Sequence, residues 1–235
     1  MKFTSVAFDL DGTLYPNHRL NLRLIPFIFK HYRLLSAMDK ARKKIRYPGG
    51  KSAPIAPAGG NEPFEDFYDL QARLMGEILD MPAKKVKETV ERLIYRGWEP
   101  IFKEVELFPH VRETLEIFRE KGIRLGMLSD FPPVIKLENL KLSGFWHVAL
   151  SSEETGQLKP SPTPFLELAK KMETPVEQIL YVGNSVPYDI EGARNAGMKA
   201  ALILPSWLRW RKASQCGYAD FVFSDYRQLC DFVIN

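Results

Sequence analysis

The feature that most constrains this chain is an acidic turn that follows a short buried strand close to the N-terminus. Residues 3–8 are mostly apolar, which predicts a buried β-strand, and the strand runs into Asp9-Leu10-Asp11-Gly12-Thr13. Side chains two residues apart in a strand point to the same side, so Asp9 and Asp11 repel each other unless a cation lies between them. Gly12 permits a tight exit from the strand. Because ligands bind at the carboxyl ends of parallel strands, this cluster of oxygens predicts a Mg²⁺ site.

The C-terminal part of the sequence alternates between helical and strand patterns from Leu107 onwards. Short apolar runs predict strands at 123–129, 179–182, 200–204 and 219–223, and a short strand or connector at 145–151. Amphipathic patterns between them predict helices, and a last helix is predicted near 226–232. Repeated alternation of this kind predicts an α/β fold with a doubly wound parallel sheet.

The segment 17–105 has helical patterns and no returning strand. Apolar residues recur at three- and four-residue steps from Leu20 to Met38, which predicts an amphipathic helix or helix pair interrupted near Pro26. Further helices are predicted at 64–79 and 82–95, after a stretch dense in Pro, Gly and Ala that predicts a mobile loop at 47–63. We therefore predict an α/β core formed by residues 1–16 and 106–235, with an all-helical domain inserted at 17–105.

Three later segments place polar groups at or near predicted strand ends. Ser129, followed by Asp130, ends one strand, where its hydroxyl and the next backbone N–H can hold a phosphate oxygen; many strands, however, simply end in serine. Lys159 precedes Pro160 in a loop, and its ammonium can neutralise a phosphate or a carboxylate. Asn184 and Asp189 follow the strand at 179–182. Asp189 also suits the N-cap of the next helix.

Taken in order, these segments resemble the four motifs of the haloacid dehalogenase-like (HAD) hydrolases, a superfamily dominated by Mg²⁺-dependent phosphatases. Asp9-Leu10-Asp11-Gly12-Thr13 resembles the first motif, Ser129 the second, Lys159-Pro160 the third and the 181–193 segment the fourth. The resemblance implies a Rossmann-like core with an inserted helical cap that closes over the site. Hinges of this cap are expected near 15–17 and 104–109.

The resemblance also implies a mechanism and a set of site residues. Asp9 would attack phosphorus and form an aspartyl-phosphate, while Asp11 would act as general acid and then as general base. Lys159 would complete the catalytic set. The substrate-binding residues would be Gly12, Thr13, Ser129 and Asp130. Mg²⁺ would be held by Asp9, Asp11, Asn184 and Asp189.

One position departs from the family pattern. The family commonly has Asp where this chain has Asn184, and that Asp is often a direct metal ligand. An amide oxygen can still coordinate Mg²⁺, but one negative charge is lost, so we expect weaker metal binding unless Asp189 compensates.

The residues favour a phosphatase over related activities. The dehalogenase branch does not need the second aspartate, and the phosphomutase branch commonly has a β-branched apolar residue where Thr13 stands. A phosphomutase, or a catalytically weakened phosphate-binding or regulatory module, remains an alternative, and Asn184 is the residue that favours the latter. Residues 13–16 have a weak similarity to the pyrimidine 5′-nucleotidase-like branch, and nucleotides, sugar phosphates and phosphoglycolate remain open as substrates.

The positive charge of the chain is concentrated near its N-terminus. Residues 17–60 contain ten Lys or Arg and one acidic residue, Asp39. This excess is typical of a solvated helix face, and it also suits a hypothesis that Arg19 and Arg23 favour polyanionic substrates. Trp207 and Trp210 suit the mouth of the site, an exposed loop or a dimer contact.

The sequence has no features that predict a nucleic-acid or membrane partner. No nucleic-acid-binding motif accompanies the basic residues, and no apolar stretch is long enough to span a bilayer. We expect a cytoplasmic monomer or homodimer that acts on a small phosphorylated molecule without membrane or nucleic-acid partners.

Overall fold

A single sheet of six parallel strands forms the centre of the molecule, in the order β3-β2-β1-β4-β5-β6. The computed structural model describes residues 3–47, 66–205 and 217–235. The strands are β1 (Ser5–Phe8), β2 (Arg124–Ser129), β3 (Val148–Ser151), β4 (Ile179–Gly183), β5 (Lys199–Ile203) and β6 (Phe221–Phe223). The α/β prediction with a doubly wound parallel sheet is confirmed. Five strands lie within a few residues of predicted strands, and β3 lies in the segment predicted as a strand or connector.

Helices cover both faces of the sheet and form the segment between β1 and β2. Before β2 lie α1 (Asn17–Lys30), α2 (Tyr32–Arg46), α3 (Phe67–Leu79), α4 (Ala83–Val90, continued by a π-helical turn at Glu91–Tyr95), α5 (Glu99–Phe102) and α6 (Val111–Glu120). After β2 lie α7 (Val134–Asn139), α8 (Pro162–Lys171), α9 (Glu191–Asn195, preceded by a π-helical turn at Val186–Ile190) and α10 (Tyr226–Ile234). No described helix combines the length and the apolar character that crossing a bilayer requires.

The order of the strands places the site beside β1. The chain adds β2 and β3 on one side of β1 and then moves to the other side for β4, β5 and β6. Phe8 of β1 pairs with Met127 of β2 and with Val182 of β4, so the three strands end at nearly the same level. The residues that follow these strands therefore share the crevice where open α/β sheets bind ligands.

The central strands are buried on both faces, as expected for a parallel sheet covered by helices. One hydrophobic cluster packs α6 and α10 against the sheet, and a second packs α8 and α9 against the other face. A third cluster lies within the helical segment and includes Met38, Met75, Val86 and Ile94. The helical segment (residues 17–105) thus has an apolar core of its own, although its assignment as a separate domain stays a prediction.

The predicted interruption near Pro26 is wrong. Pro26 lies inside α1, and the break between α1 and α2 comes at His31. A proline removes one helical hydrogen bond, to the carbonyl four residues earlier, and that residue, Leu22, is exposed. Water can serve the freed carbonyl at such a position, so the helix continues.

The two chain connections between the helical segment and the sheet lie side by side. The Phe108 N–H donates to the Leu14 carbonyl at 2.9 Å, which joins the segments in which hinges are predicted. The predicted loop at 47–63 falls almost wholly outside the described residues, as do Trp207 and Trp210.

Candidate active site

Asp9 lies at the centre of the candidate site, directly after β1. Its buried carboxylate accepts a hydrogen bond from Lys159 Nζ at 2.7 Å through Oδ1 and from Thr13 Oγ1 at 2.8 Å through Oδ2. Burial raises the pKa of Asp9 to about 7, and the Asp189 and Asp11 carboxylates add to this rise while Lys159 opposes it. The charged form of Asp9 therefore depends on nearby cations.

Lys159 joins the third predicted motif to the first and the fourth. Its Nζ donates to Asp9 Oδ1 and to Asp189 Oδ1, both at 2.7 Å, and it is almost fully buried. Burial lowers the pKa of Lys159, but the two carboxylates outweigh burial and hold that pKa well above its ordinary value. The ammonium is thus a permanent positive charge between two carboxylates.

Asp189 closes the loop that follows β4. Its Oδ2 accepts the backbone N–H groups of Asn184 at 3.1 Å and Ser185 at 3.0 Å, while Oδ1 binds Lys159. These donors precede Asp189 in the chain, so it does not cap the helix that follows. A Cβ at Gly183 would lie 2.3 Å from Asp189 Cβ, which explains the glycine at the end of β4.

Asp11 is held by a residue that the sequence analysis did not identify. Lys136 Nζ donates to both carboxylate oxygens of Asp11, at 2.9 Å and 2.7 Å, and the Tyr15 hydroxyl also donates to Asp11. Lys136 belongs to α7 and is only slightly exposed. It also lies over the rings of Phe102 and Phe131, at 4.9 Å and 5.3 Å from their centroids.

Ser129 ends β2 and Asp130 follows it, as predicted, but the two residues have different partners. The Ser129 hydroxyl oxygen accepts the Phe131 N–H at 3.2 Å and is buried at the end of the strand. The carboxylate of Asp130 accepts hydrogen bonds from the Ser152 hydroxyl at 2.6 Å and the Lys159 N–H at 3.3 Å. A substrate-binding role for Asp130 stays a prediction, since its carboxylate is already engaged.

Comparison with known proteins agrees with this arrangement of motifs. Residues 3–197 match the family described as haloacid dehalogenase-like hydrolase. The chain belongs to this family.

Relatives of this HAD-like hydrolase include several phosphatases. A phosphoglycolate phosphatase of Escherichia coli strain K12 is 33% identical over 82% of this chain and 77% of its own length. A ribulose-1,5-bisphosphate 5-phosphatase of Halopiger xanaduensis is 26% identical over 86% of this chain and 85% of its own. The crystal structure of a HAD phosphatase from Thermococcus onnurineus covers 98% of both chains with a TM-score of 0.63 and 21% identity, which shows a shared fold.

The side-chain amides of two asparagines, Asn17 and Asn184, lie beside Gly12 in the acidic turn. Gly12 has φ +88°, and a Cβ there would lie 2.1 Å from Asn184 Nδ2 and 2.5 Å from Asn17 Nδ2. Asn17 Nδ2 donates to the Asp11 carbonyl at 3.3 Å, and Asn17 Oδ1 is buried without a hydrogen-bond partner. Among the described residues, no three His, Cys, Asp or Glu side chains form a metal-binding group.

A metal at this HAD-like site would therefore rely on mixed oxygen donors. The candidates are the Asp9 carboxylate, the Asp11 carbonyl and the Asn184 amide, a set that fits Mg²⁺. Both oxygens of Asp189 are already engaged by Lys159 and by backbone N–H groups. Its predicted role as a metal ligand stays a prediction.

Two arginines of α2 connect the helical segment to the site, and the sequence analysis did not single them out. Arg46 donates to Asp130 Oδ2 at 2.5 Å and to the Lys159 carbonyl at 2.6 Å. Arg42 is buried, donates to the Asp130 carbonyl at 2.8 Å and forms an ion pair with the buried Glu153. Two of the basic residues near the N-terminus therefore form ion pairs that join the helical segment to residues following β2 and β3.

These contacts do not support the hypothesis that Arg19 and Arg23 of α1 favour polyanionic substrates. Arg23 is partly exposed and pairs with Glu104 at 3.1 Å on the surface. The side chain of Arg19 lies outside the described part of the chain. A preference for polyanionic substrates through these two residues stays a prediction.

Proposed function

We propose that this chain is a Mg²⁺-dependent phosphatase that hydrolyses small phosphomonoesters through an aspartyl-phosphate on Asp9. The observation that carries the proposal is the buried Asp9 carboxylate held between Lys159 and Thr13, with Asp11 two residues further on. The named phosphatases among the relatives support phosphate esters as the substrate class. The substrate is therefore a small phosphorylated molecule.

In the proposed first step Asp9 attacks phosphorus. One carboxylate oxygen forms the new P–O bond while the bond from phosphorus to the ester oxygen breaks. Lys159 neutralises negative charge at Asp9 and at the phosphoryl group, and the Ser129 hydroxyl together with nearby backbone N–H groups binds the phosphoryl oxygens. Thr13 and Lys159 orient the carboxylate beforehand, which lowers the entropic cost of the attack.

Asp11 serves as the proposed general acid and base. In its protonated form it gives a proton to the leaving alcohol oxygen, and it then removes a proton from the water that attacks the aspartyl-phosphate. Tyr15 and Lys136 hold its carboxylate in one orientation. The second step returns Asp9 as a free carboxylate and releases inorganic phosphate.

Asp9, the Asp11 carbonyl and Asn184 are the proposed Mg²⁺ ligands, with Asp189 close by. When bound, the cation reduces the repulsion between the nucleophile and the phosphate. The Asn184 amide beside Gly12 and the unpartnered Asn17 Oδ1 support this placement.

We also propose that the helical segment acts as a cap domain at residues 17–105, inserted in a core formed by 1–16 and 106–235. Its support is the position of Arg42 and Arg46, which reach from α2 to Asp130 and Glu153 beside the motifs. A cap in this place would exclude water from the reacting centre.

The test is phosphate release from nucleotides, sugar phosphates and phosphoglycolate, measured with Mg²⁺ or with EDTA. We expect metal-dependent turnover by the wild-type protein and none by Asp9→Asn, which keeps the shape of the side chain but is a poor nucleophile. Unchanged turnover in EDTA would contradict the role of the metal, and unchanged turnover by Asp9→Asn would contradict the aspartyl-phosphate. Circular dichroism of Asp9→Asn checks that the variant is folded.

A further inference from the structure

A cavity of about 840 Å³ lies between the helical segment and the residues that follow β2. Its walls come from α3, α4 with its π-helical turn, α5 and residues 131–136. Most of the side chains that line it are aromatic or aliphatic, and they include Tyr68, Ile94, Tyr95, Trp98, Phe102 and Phe131. A concave, apolar site of this size is typical of a small-molecule pocket.

The cavity lies next to Asp11, the proposed general acid and base. Lys136 lines the cavity, and its Nζ lies 2.7 Å from Asp11 Oδ2. Phe131 lines it too, and the backbone N–H of Phe131 donates to the Ser129 hydroxyl. Because Asp11 protonates the leaving oxygen in the proposed reaction, the leaving group of an ester at Asp9 lies on the side of this cavity.

The charges around the cavity do not favour an anionic leaving group. Among the described lining residues the cations are Lys87, Lys136 and Arg96, and each already contacts a carboxylate: Asp69 at 2.5 Å, Asp11 at 2.7 Å and Glu91 at 2.9 Å, respectively. Glu88 and Glu91 add negative charge to the wall. A second carboxylate or phosphate on the substrate would therefore compete with these carboxylates for the same cations.

Two exposed apolar side chains lie on the same α7 helix as Lys136. Val134 is 56% exposed and Ile135 is 43% exposed, and both line the cavity. An apolar ligand in the cavity would remove the surface of these two side chains from water, and this burial would contribute favourably to the free energy of binding.

We propose that this cavity binds the leaving group and that the substrates are phosphomonoesters of an aromatic or other large apolar alcohol. The inference rests on the phosphatase function proposed above and narrows its substrate class. It differs from the substrates named for the phosphoglycolate and ribulose-1,5-bisphosphate phosphatases among the relatives, whose names specify a carboxylate or a second phosphate. A two-carbon leaving group would fill little of the cavity.

The first test compares 1-naphthyl phosphate with 2-phosphoglycolate. We expect kcat/KM of the wild-type protein to be about tenfold or more higher for the naphthyl ester, because the ring buries apolar surface that glycolate lacks. Ile135→Asn should raise KM for the naphthyl ester and leave KM for 2-phosphoglycolate unchanged. The matched control is Leu166→Asn, which changes a leucine of similar exposure (47%) on α8 of the core. A preference for 2-phosphoglycolate, or equal effects of the two substitutions, would overturn the proposal.

The second test separates binding from turnover. Calorimetry with Asp9→Asn measures the affinity for both esters, and Ala72→Phe, which adds a ring at a buried wall position, is introduced into this variant to fill the cavity. We expect the naphthyl ester to bind more tightly and Ala72→Phe to remove the difference in a protein that melts cooperatively. Tight naphthyl binding without turnover of any ester by the wild type would reject the phosphatase function and support the cavity. Turnover with no naphthyl preference in binding would reject the cavity.

Discussion

Lys136 shows how much a single residue of this site depends on the fold. It is 125 positions from Asp11 in the chain, yet its Nζ contacts both oxygens of that carboxylate. A charged residue that fixes the orientation of a general acid affects the proton-transfer step more than substrate binding. Lys136 is therefore a positioning residue in the proposed reaction.

Replacing Lys136 tests this role directly. We expect Lys136→Met, which keeps the length of the side chain, to lower kcat by about ten- to a hundredfold, with a smaller effect on KM, because Asp11 loses its main partner. Steady-state kinetics measures both constants. Lys170→Met, at a lysine that is 79% exposed on α8, is the control and should have the activity of the wild type. Equal activities of the two variants would contradict the role of Lys136.

The amide at position 184 allows a second prediction at this scale. Asn184→Asp adds a carboxylate beside Gly12, and ligand charge raises the affinity of oxygen sites for divalent cations. We expect the Mg²⁺ concentration for half-maximal phosphatase activity to fall about tenfold, which a Mg²⁺ titration measures. Asn195→Asp makes the same change at an exposed position and should leave the titration unchanged. A higher Mg²⁺ requirement in Asn184→Asp would show that position 184 does not bind the metal.

Part of this site could be predicted from the sequence, for a physical reason. Asp9, Asp11 and Asp189 follow strands, and the carboxyl ends of parallel strands meet, so their proximity follows from the pattern. Lys136 and Arg42 lie in helices, where lysine and arginine usually face water. Only the packing of α7 and α2 against the sheet brings these cations to the motifs, and the periodicity of the sequence does not contain that information.

At the scale of the element, side-chain caps mark the start of three of the described α-helices, α3, α8 and α10. The strand segments were predictable because runs of buried residues end at polar turns. Whether Pro26 breaks its helix was not predictable, because that depends on whether water can reach the carbonyl left without its helical N–H donor. The last helix, α10, has a clear cap. Asp225 accepts the Arg227 N–H at 2.9 Å, and the Gln228 side chain accepts the Asp225 N–H at 3.4 Å.

The cap at Asp225 predicts a pH-dependent loss of stability. Hydrogen bonds from the Arg227 guanidinium, together with the smaller effect of the Arg227 backbone N–H, lower the pKa of Asp225 below its ordinary value. The carboxylate therefore stabilises the folded protein at neutral pH, and this contribution is lost as the pH falls through the folded-state pKa. We expect Asp225→Ala to lower the free energy of unfolding by about 1 kcal/mol near pH 7 and by less near about pH 3. Urea unfolding at both pH values measures the difference.

The control for Asp225 lies on the same helix. Asp231 is exposed in the last turn of α10, where a negative charge has no unbonded N–H to accept. Asp231→Ala should therefore leave the stability unchanged or raise it slightly near pH 7. A loss equal to that of Asp225→Ala would show that charge alone, and not the cap, is responsible.

At the scale of the whole molecule, buried ions join the helical segment to the sheet. Arg42 contacts Gln71 of α3, the Asp130 carbonyl and Glu153, and its guanidinium lies 4.2 Å from the centroid of the Phe131 ring. Burial raises the pKa of Glu153, and Arg42 opposes this rise. Arg42 of the helical segment thus favours the charged form of Glu153, which follows β3. The stability of the helical segment and that of the sheet are therefore coupled through this ion pair.

A double-mutant cycle measures this dependence. We expect Arg42→Met and Glu153→Gln each to lower the free energy of unfolding by about 3–5 kcal/mol, because the partner is left buried and unpaired, and the double variant to lose clearly less than the sum of the two. The exposed pair Lys43 and Asp39 on α2, at 2.7 Å, provides the control, and little or no coupling is expected there because water screens both charges. Additive losses at Arg42 and Glu153 would contradict the coupling. Coupling well above the control would mean that moving α2 away from the sheet requires two buried charges to separate. Together with the contacts of Arg46 to Asp130 and Lys159, this ion pair would then oppose any opening of the proposed cap on this side.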